Sequence, residues 1–516
     1  MKNDISDERI EILLSTVTYC SWAVYFTLIW FFRFVPSVDY PDWLLQANIL
    51  AHYNDVSYDF KTWYEAIWAP VPNGGFVLPV AALAKFLPIE MAGKAALSCY
   101  IVGFPLSVRY FFRSVGNYSP LWMLSILLLF NVSFVYGNLS FLLSMCLLLG
   151  LIGYAERAKV KLKTSTAVII LIGALMLFVA HAVAAIVFLC YAIVQTSEKT
   201  SSSKSKRILG ACIALTIILG ILYFYLRPSE KMITGFEYGV DIRYRLLYLA
   251  KSFVAGWAFP PYEFSLLRTL STLSLLATVI TITMLSMLQL LRRFTSSSAV
   301  RFVVILALLT PLAPKSIAGS AEMLQRLTLI SFLVLMAFFE IPSPLRKMFT
   351  SFVIILTCLI TVVRIQDYRQ SSLLISRRFD CISQALQRLQ GVLTLDDDLG
   401  QFRIPFYHFL PKGFHFIFQS NYHLLQGGYN PLTFRTGYVI PRDDFLFTLA
   451  TLHEQQTTQT LLLLRGDMIP KTISHIILDG SRTWVEQMTK NMQVHFVEIA
   501  SREIAPGIQT VVLQRK

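Results

Sequence analysis

The sequence predicts a mainly α, polytopic transmembrane helix bundle of about eleven spans, followed by a small C-terminal α/β domain. Three observations predict it. Hydrophobic residues make up 55% of the chain and charged residues only 15%, against about 25% charged in an ordinary soluble domain. Apolar runs of membrane-spanning length recur up to about residue 366 and then stop. The basic residues gather in alternate loops between those runs. A soluble cytoplasmic enzyme and a disordered chain are both excluded, because neither can present so little polar surface in water.

The first apolar run covers residues 12–35. The segment before it is polar and mixed in charge, without the basic start and small-residue cleavage site of a signal peptide. The run therefore reads as a permanent helix with a cytoplasmic N-terminus. A polar loop follows, from 36 to 75. Residues 76–87 are apolar but too short to span, and they carry Pro79 and Lys85, so an interfacial or re-entrant helix is expected there. Ten further runs start near Ala92, Leu121, Leu139, Ala167, Ala182, Ile208, Phe264, Phe302, Leu327 and Phe349. The stretch 167–194 is read as two short helices meeting at His181.

Charge supports this map. The whole chain has 45 Lys and Arg against 31 Asp and Glu, a formal charge of +14. Fifteen positives, opposed only by Glu156 and Glu198, fall in loops that the map places in the cytoplasm, including Arg109, Arg113, Arg157, Lys204, Arg292 and Arg346. The first outer loop instead holds Asp39, Asp42, Asp55, Asp59 and Glu65 against Lys61. This is the positive-inside asymmetry. The surplus is a topology signal, so no nucleic-acid partner is expected. An odd number of spans places the C-terminus on the outer side, and merging the pair around His181 would break the alternation.

From about Asp367 the apolar runs shorten to strand length. Residues 371–389 and 481–491 read as helices. Residues 392–395, 438–440, 460–464, 475–478, 495–499 and 510–513 read as strands. The domain division is thus 1–366 for the membrane part, with 36–75 as its first outer loop, and 367–516 for an extracytoplasmic α/β domain. Asp479-Gly480-Ser481 is a turn and helix cap, not a phosphate loop. Six of the seven cysteines lie in apolar runs and none forms a CxxC pair, which argues against a disulfide framework or structural zinc site.

Candidate chemistry concentrates on the outer side. In Asp39-Tyr40-Pro41-Asp42-Trp43 two carboxylates stand three apart just beyond the first span. Pro41 suits a first helical turn, so a short helix along the membrane surface is expected, with both acids at headgroup level. There a carboxylate can take a proton from a sugar hydroxyl, or hold a divalent metal ion beside a lipid phosphate. The same acids also suit a helix cap and first turn. His181 is the single intramembrane histidine, and ionisable groups at such depth are functional candidates. Arg243 and Arg245 near an expected interface, and Arg326 four residues after Glu322 at the start of a span, can meet a lipid phosphate. His52 in the first loop can serve an acceptor or a metal. Asn117, Asn131 and Asn138 begin glycosylation sequons, but their places in the map leave none expected to be modified.

The layout resembles the GT-C superfamily of polytopic glycosyltransferases. The match rests on the cytoplasmic N-terminus, the long first outer loop with an acid just after the first helix, the many spans and the outer C-terminal domain. Asp39-Tyr40-Pro41-Asp42-Trp43 is similar to an Asp-x-Pro-x-His loop start in some bacterial relatives, with Trp43 at the His position. The stretches Tyr422-His423-Leu424-Leu425-Gln426-Gly427-Gly428 and Asn430-Pro431-Leu432-Thr433-Phe434 also look like theirs.

The resemblance implies an inverting transfer of a sugar from a polyprenyl-phosphate donor at the outer face of a bacterial inner membrane. Asp39 would be the catalytic or metal-binding acid, and Asp42 the second. Membrane lipids would be partners, and a divalent metal ion the one cofactor in view. A transporter or lipid flippase, and a non-catalytic membrane-assembly protein, are the other classes the sequence admits. An acidic cluster in an outer loop, few charges within spans and no evident repeat favour the enzyme over a transporter.

Overall fold

Away from water a helix satisfies its own backbone polar groups, so apolar stretches of this length fold as helices. The computed structural model describes residues 2–37, 39–56, 60–66, 72–158, 164–196, 266–292, 298–313, 323–342, 345–385, 475–505 and 508–516. It also describes short stretches at 236–237, 316–317, 392–396 and 439–441 and isolated positions between 210 and 253. The helices in the first part are α1 (Lys2–Phe31), α2 (Tyr40–His52), α3 (Phe60–Trp63), α4 (Gly74–Ala84), α5 (Ile89–Ser114), α6 (Leu124–Leu127), α7 (Val132–Tyr136), α8 (Leu139–Ala158), α9 (Thr164–Ala180) and α10 (Ala182–Thr196). Further helices cover Leu266–Leu291, Ser298–Leu309, Met323–Met336 and Arg346–Ala385.

Among the described residues five helices are long and apolar enough to cross a membrane: Ile12–Phe31, Ile89–Ser114, Leu139–Ala158, Leu270–Leu291 and Arg346–Arg377. The other expected spans that fall on described residues are shorter. The run near Leu121 is a 3₁₀ turn (Pro120–Met123) followed by α6 and α7, not one helix. Asn131 causes the second break: its side chain accepts the Phe134 N–H and starts α7 afresh. The expected span near Ile208 and the expected strand at 460–464 lie outside the described residues. Helix exteriors are as apolar as the core: Ile172, Met176, Leu273, Met284 and Ile355 are each about half or more exposed. A surface of that kind is stable against lipid, not water, and the chain is an integral membrane protein.

The helices share two ends. Lys94 near the start of α5 donates to the Phe32 carbonyl at the end of α1 (2.7 Å). Ser372 donates to the Phe34 carbonyl (3.0 Å), and Ser37 to the Phe134 carbonyl (2.7 Å). These contacts define one end. At the other, Asn117 donates to the Ala337 carbonyl (2.8 Å) and Gln289 to the Glu340 carbonyl (3.0 Å). Ser298 donates to Gln195, which donates to Glu156. That second end also carries Arg109 over the Trp122 ring and Arg157 over the Tyr110 ring. The helices α9 and α10 both run away from His181 along α8. Gly173 sits against Leu151, while Tyr191 and Gln195 reach Glu156. The sharp bend at His181 therefore lies at the first end, between two separate helices.

The final helix of the membrane part continues past 367. Asp367, Tyr368, Ser371 and Ser372 are buried in the bundle, so the boundary drawn at 367 falls inside a packed helix. Beyond it lies a four-stranded mixed sheet of β4 (Val392–Asp396), β6 (His475–Ser481), β7 (Phe496–Ala505) and β8 (Ile508–Arg515), in the order β4-β6-β8-β7. The β4–β6 pair is parallel, with Val392 opposite His475, and the other pairs are antiparallel. Helix Arg482–Met492 covers it with Trp484, Val485, Met488 and Met492. A further strand, β5 (Val439–Pro441), pairs antiparallel with β1 (Tyr64–Ala66) of the first loop, so the tail folds back over that loop. The remaining short pair joins β2 (Phe236–Glu237) and β3 (Ser316–Ile317).

Two positions test the two-ended layout. Val56 is 90% exposed beyond α2 and Tyr118 is 79% exposed at the opposite end. Single cysteines placed there in a cysteine-depleted background are expected to react with a membrane-impermeant maleimide from opposite sides of sealed vesicles. Labelling of both from one side would contradict the layout.

Candidate active site

The site is built around a turn, Tyr136-Gly137-Asn138, between α7 and α8. Gly137 has φ +89°, a left-handed conformation that glycine adopts without strain. A Cβ there would lie 2.7–2.9 Å from the backbone nitrogen, Cα and Cβ of Asp39. The missing side chain is thus what lets the start of α2 lie flat on the turn. Asp39 donates its N–H to the Tyr136 carbonyl (3.1 Å), and the Trp43 indole donates to the Gly137 carbonyl (2.7 Å). Trp43, at the expected His position, therefore fastens the loop.

Helix α2 starts where expected, with Pro41 in its first turn. Two expectations about it change. It is not an open surface helix: Tyr40, Leu44, Leu45 and Ile49 are buried, and Gly93 on α5 leaves room for Tyr40 and Leu44. Asp39 stands at the N-cap position, but its side chain makes no capping hydrogen bond. Asp39 and Asp42 are both half-buried.

The other face of the turn holds the basic residues. Asn138 accepts from Nη2 of Arg326 through Oδ1 (2.7 Å). Nη1 of Arg326 lies 3.1 Å from Nε2 of His181, and its guanidinium stands 5.8 Å from the centre of the Phe141 ring. Phe141 in turn meets His181 edge-on at 5.5 Å. Arg326 is 7% and His181 3% exposed. A charge so deep is tolerated only when paired or hydrogen-bonded, and the start of α8 and the bend between α9 and α10 hold this one. The turn at 136–138 thus has the first-loop acid on one side and a buried guanidinium and imidazole on the other.

Of the residues singled out from the sequence, Asp39, Asp42, His181 and Arg326 come together at this end. His52 does not join them. It sits in the last turn of α2, 3.9 Å from Asp55 and roughly 15 Å along the helix axis from Asp42 at 1.5 Å per residue. Arg243, Arg245 and Glu322 lie outside the described residues. Among the described residues no three His, Cys, Asp or Glu side chains gather as a metal group. Asp39 and Asp42 alone supply only part of the roughly six oxygens a hard divalent cation takes.

Sequence reasoning missed Asn138, Phe141 and Gln325. Asn138 was visible only as a sequon; the adjoining Gly137 was the better signal, since Gly-Asn between apolar runs marks a turn. Gln325 is 1% exposed, and among the described residues neither end of its amide has a hydrogen-bond partner. A buried amide in that condition costs about 1–3 kcal/mol.

No family model and no curated protein matches the chain. Among solved structures it is similar to ArnT from Cupriavidus metallidurans, in a crystal structure bound to undecaprenyl phosphate. The similarity covers 97% of each chain at 10% identity, with a TM-score of 0.49.

Two substitutions test the local account. Gly137→Ala is expected to lower stability by about 2 kcal/mol, from its left-handed φ and its overlap with Asp39. A lower melting temperature of the detergent-purified protein would show it, and an unchanged one would contradict it. Gln325→Leu removes an unsatisfied amide of similar volume, so the melting temperature is expected to rise; a fall would mean that the amide is satisfied in the folded protein.

Proposed function

We propose that the protein is an integral membrane glycosyltransferase that moves a sugar from a polyprenyl-phosphate donor to an acceptor hydroxyl. The observation that carries this reading is the 136–138 turn, which meets the backbone of Asp39 through Tyr136 and Gly137 and Arg326 through Asn138, at the end of the bundle where Arg326 also meets His181. The reaction needs both groups together: a carboxylate to take the acceptor's proton, and fixed positive charge to stabilise the departing phosphate.

The chemistry follows from that arrangement. The Asp39 carboxylate removes the hydroxyl proton as the acceptor oxygen bonds to the anomeric carbon. The bond from that carbon to the phosphate oxygen breaks with its electron pair, and the polyprenyl phosphate leaves. A single displacement of this kind inverts the anomeric centre. Arg326, which stays protonated at any physiological pH, faces the phosphate. Asp42, one helical turn on, orients the acceptor. A divalent ion at Asp39 and Asp42 would supply further positive charge at the phosphate.

Orientation follows the charges. Arg109, Arg113, Arg157, Arg346 and Lys347 belong to the end opposite the site, which is the cytoplasmic end by the positive-inside rule. The site and the tail then lie on the outer side, at the level where a lipid phosphate sits. The apolar exterior of the bundle suits a donor that never leaves the membrane.

Asp39→Asn tests the reading. The variant is isosteric and keeps the backbone contacts of Asp39. It is expected to lower the release of undecaprenyl phosphate from undecaprenyl-phosphate-linked sugars by about a hundredfold or more, the usual worth of a positioned base. Release would be followed by mass spectrometry in proteoliposomes. Full activity in the Asn variant removes Asp39 from the chemistry, and a wild type without release from any such donor rejects the glycosyltransferase reading.

A further inference from the structure

Helix α5 buries one side, with Phe104, Val108 and Phe111, and leaves the opposite side open. Val102, Leu106, Arg109 and Arg113 are spaced four, three and four apart, so they stack along that open side. Val102 and Leu106 are 39% and 45% exposed, and in a membrane protein that exposure is to lipid. The row therefore runs through the lipid layer towards the end of the bundle opposite the site, where it finishes in two guanidiniums.

Arg109 and Arg113 lie one turn apart, about 6 Å along the axis. Like charges at that spacing repel. The helix dipole favours Arg113 in the last turn of α5, but its effect has faded at Arg109, a turn further in. Among the described residues neither guanidinium forms an ion pair, and Nε of Arg109 is buried without a hydrogen-bond partner. What holds Arg109 is the Trp122 ring, whose centre is 5.1 Å from the guanidinium carbon. Trp122 in turn stands 6.5 Å from the ring of Tyr19 on α1. The two helices are fastened beside this point by the Trp22 indole, which donates to the Ile101 carbonyl (2.7 Å). An arginine laid on an aromatic ring is fixed in place while its charge is left for an oxyanion.

We propose that Arg109 and Arg113 form a binding site for an anionic phospholipid of the leaflet at that end. The lipid phosphate bridges the two guanidiniums, and an acyl chain lies along Leu106 and Val102. Basic groups between helices suit such headgroups. Three features set this pair apart from the other basic residues at the same end: the one-turn spacing, the stacking on Trp122 and the continuous apolar track. The site lies at the other end of the bundle from Asp39 and Arg326, so it does not depend on the sugar-transfer reading.

The full chain, purified in dodecyl maltoside, is titrated separately with dioleoylphosphatidylglycerol, dioleoylphosphatidylcholine and glycerol 3-phosphate. Binding is followed by native mass spectrometry. Phosphatidylglycerol carries a net negative charge, whereas the choline of the second lipid cancels its phosphate. The wild type is expected to prefer phosphatidylglycerol over phosphatidylcholine by at least about tenfold, the worth of a hydrogen bond to a charged group. Glycerol 3-phosphate, which has no acyl chain, is expected to bind more weakly than the lipid.

Arg109→Gln combined with Arg113→Gln is expected to cut the preference to about twofold or less. Replacing both by Lys is expected to keep most of it. Arg346→Gln removes an exposed charge at the same end and is expected to leave the preference unchanged. The readout is a ratio between two lipids on one sample, so a lower folded fraction does not imitate the loss. If the double variant does not fold, Arg113→Gln alone, at an exposed position, is expected to reduce the preference several fold. A double Gln variant, or that single variant, with the full preference overturns the site, and so does a wild type with no preference. An equal loss in Arg346→Gln would assign the binding to general surface charge and overturn it too. Glycerol 3-phosphate bound as tightly as the lipid would overturn the acyl track.

Discussion

The buried guanidinium of Arg326 is the constraint on which the rest of the site depends. A permanent cation inside an apolar bundle cannot shed its proton to escape the desolvation cost. It must be met by oriented dipoles, aromatic faces or an anion. The fold meets it with an amide from the start of α8, an aromatic ring one turn further along that helix, and an imidazole at the bend between α9 and α10. Each of those positions is fixed in turn. Asn138 donates its N–H to the Ser133 carbonyl (2.8 Å), and His181 caps α10.

The same turn that presents Asn138 receives the first loop. A glycine without a side chain at 137 allows Asp39 to approach to van der Waals distance, and Trp43 closes the contact from α2. Acid and base are therefore not placed independently. A shift of the turn would move both the backbone of Asp39 and the Asn138 amide that holds Arg326. Around it, hydrogen bonds from Lys94, Ser37 and Ser372 tie α5, the first loop and the last helix to the end of α1 and to α7. The tail adds a strand pairing over the first loop.

Much of the scaffold was legible in the sequence, because hydropathy and backbone satisfaction act locally. The long helices at 89–114 and 139–158, the pair meeting at His181, and most of the tail strands follow from runs of apolar residues and their punctuation, whereas 346–385 is one helix where the sequence reads as a span and a separate tail helix. The segment after Leu121 misled because its composition is as apolar as a span. Its second break comes from one side chain, Asn131, bonding to the backbone three residues on. The burial of α2 was not legible either, since it depends on Gly93 of another helix making room for Tyr40 and Leu44. At the site, Asp39, His181 and Arg326 stood out as ionisable groups in costly places. Their partners did not. Asn138 is 188 residues from Arg326, and His181 is 145 residues from it, and nothing in either local sequence announces the other.

The central claim is that the first-loop acid and the buried guanidinium serve one chemical event. A double-mutant cycle on turnover tests it most directly, with Asp39→Asn, Arg326→Gln and the pair measured under identical conditions. Residues that act as a unit on one transition state are strongly non-additive. The account predicts that the double variant is scarcely slower than the worse single variant. Losses that multiply would show two groups acting independently and would contradict it.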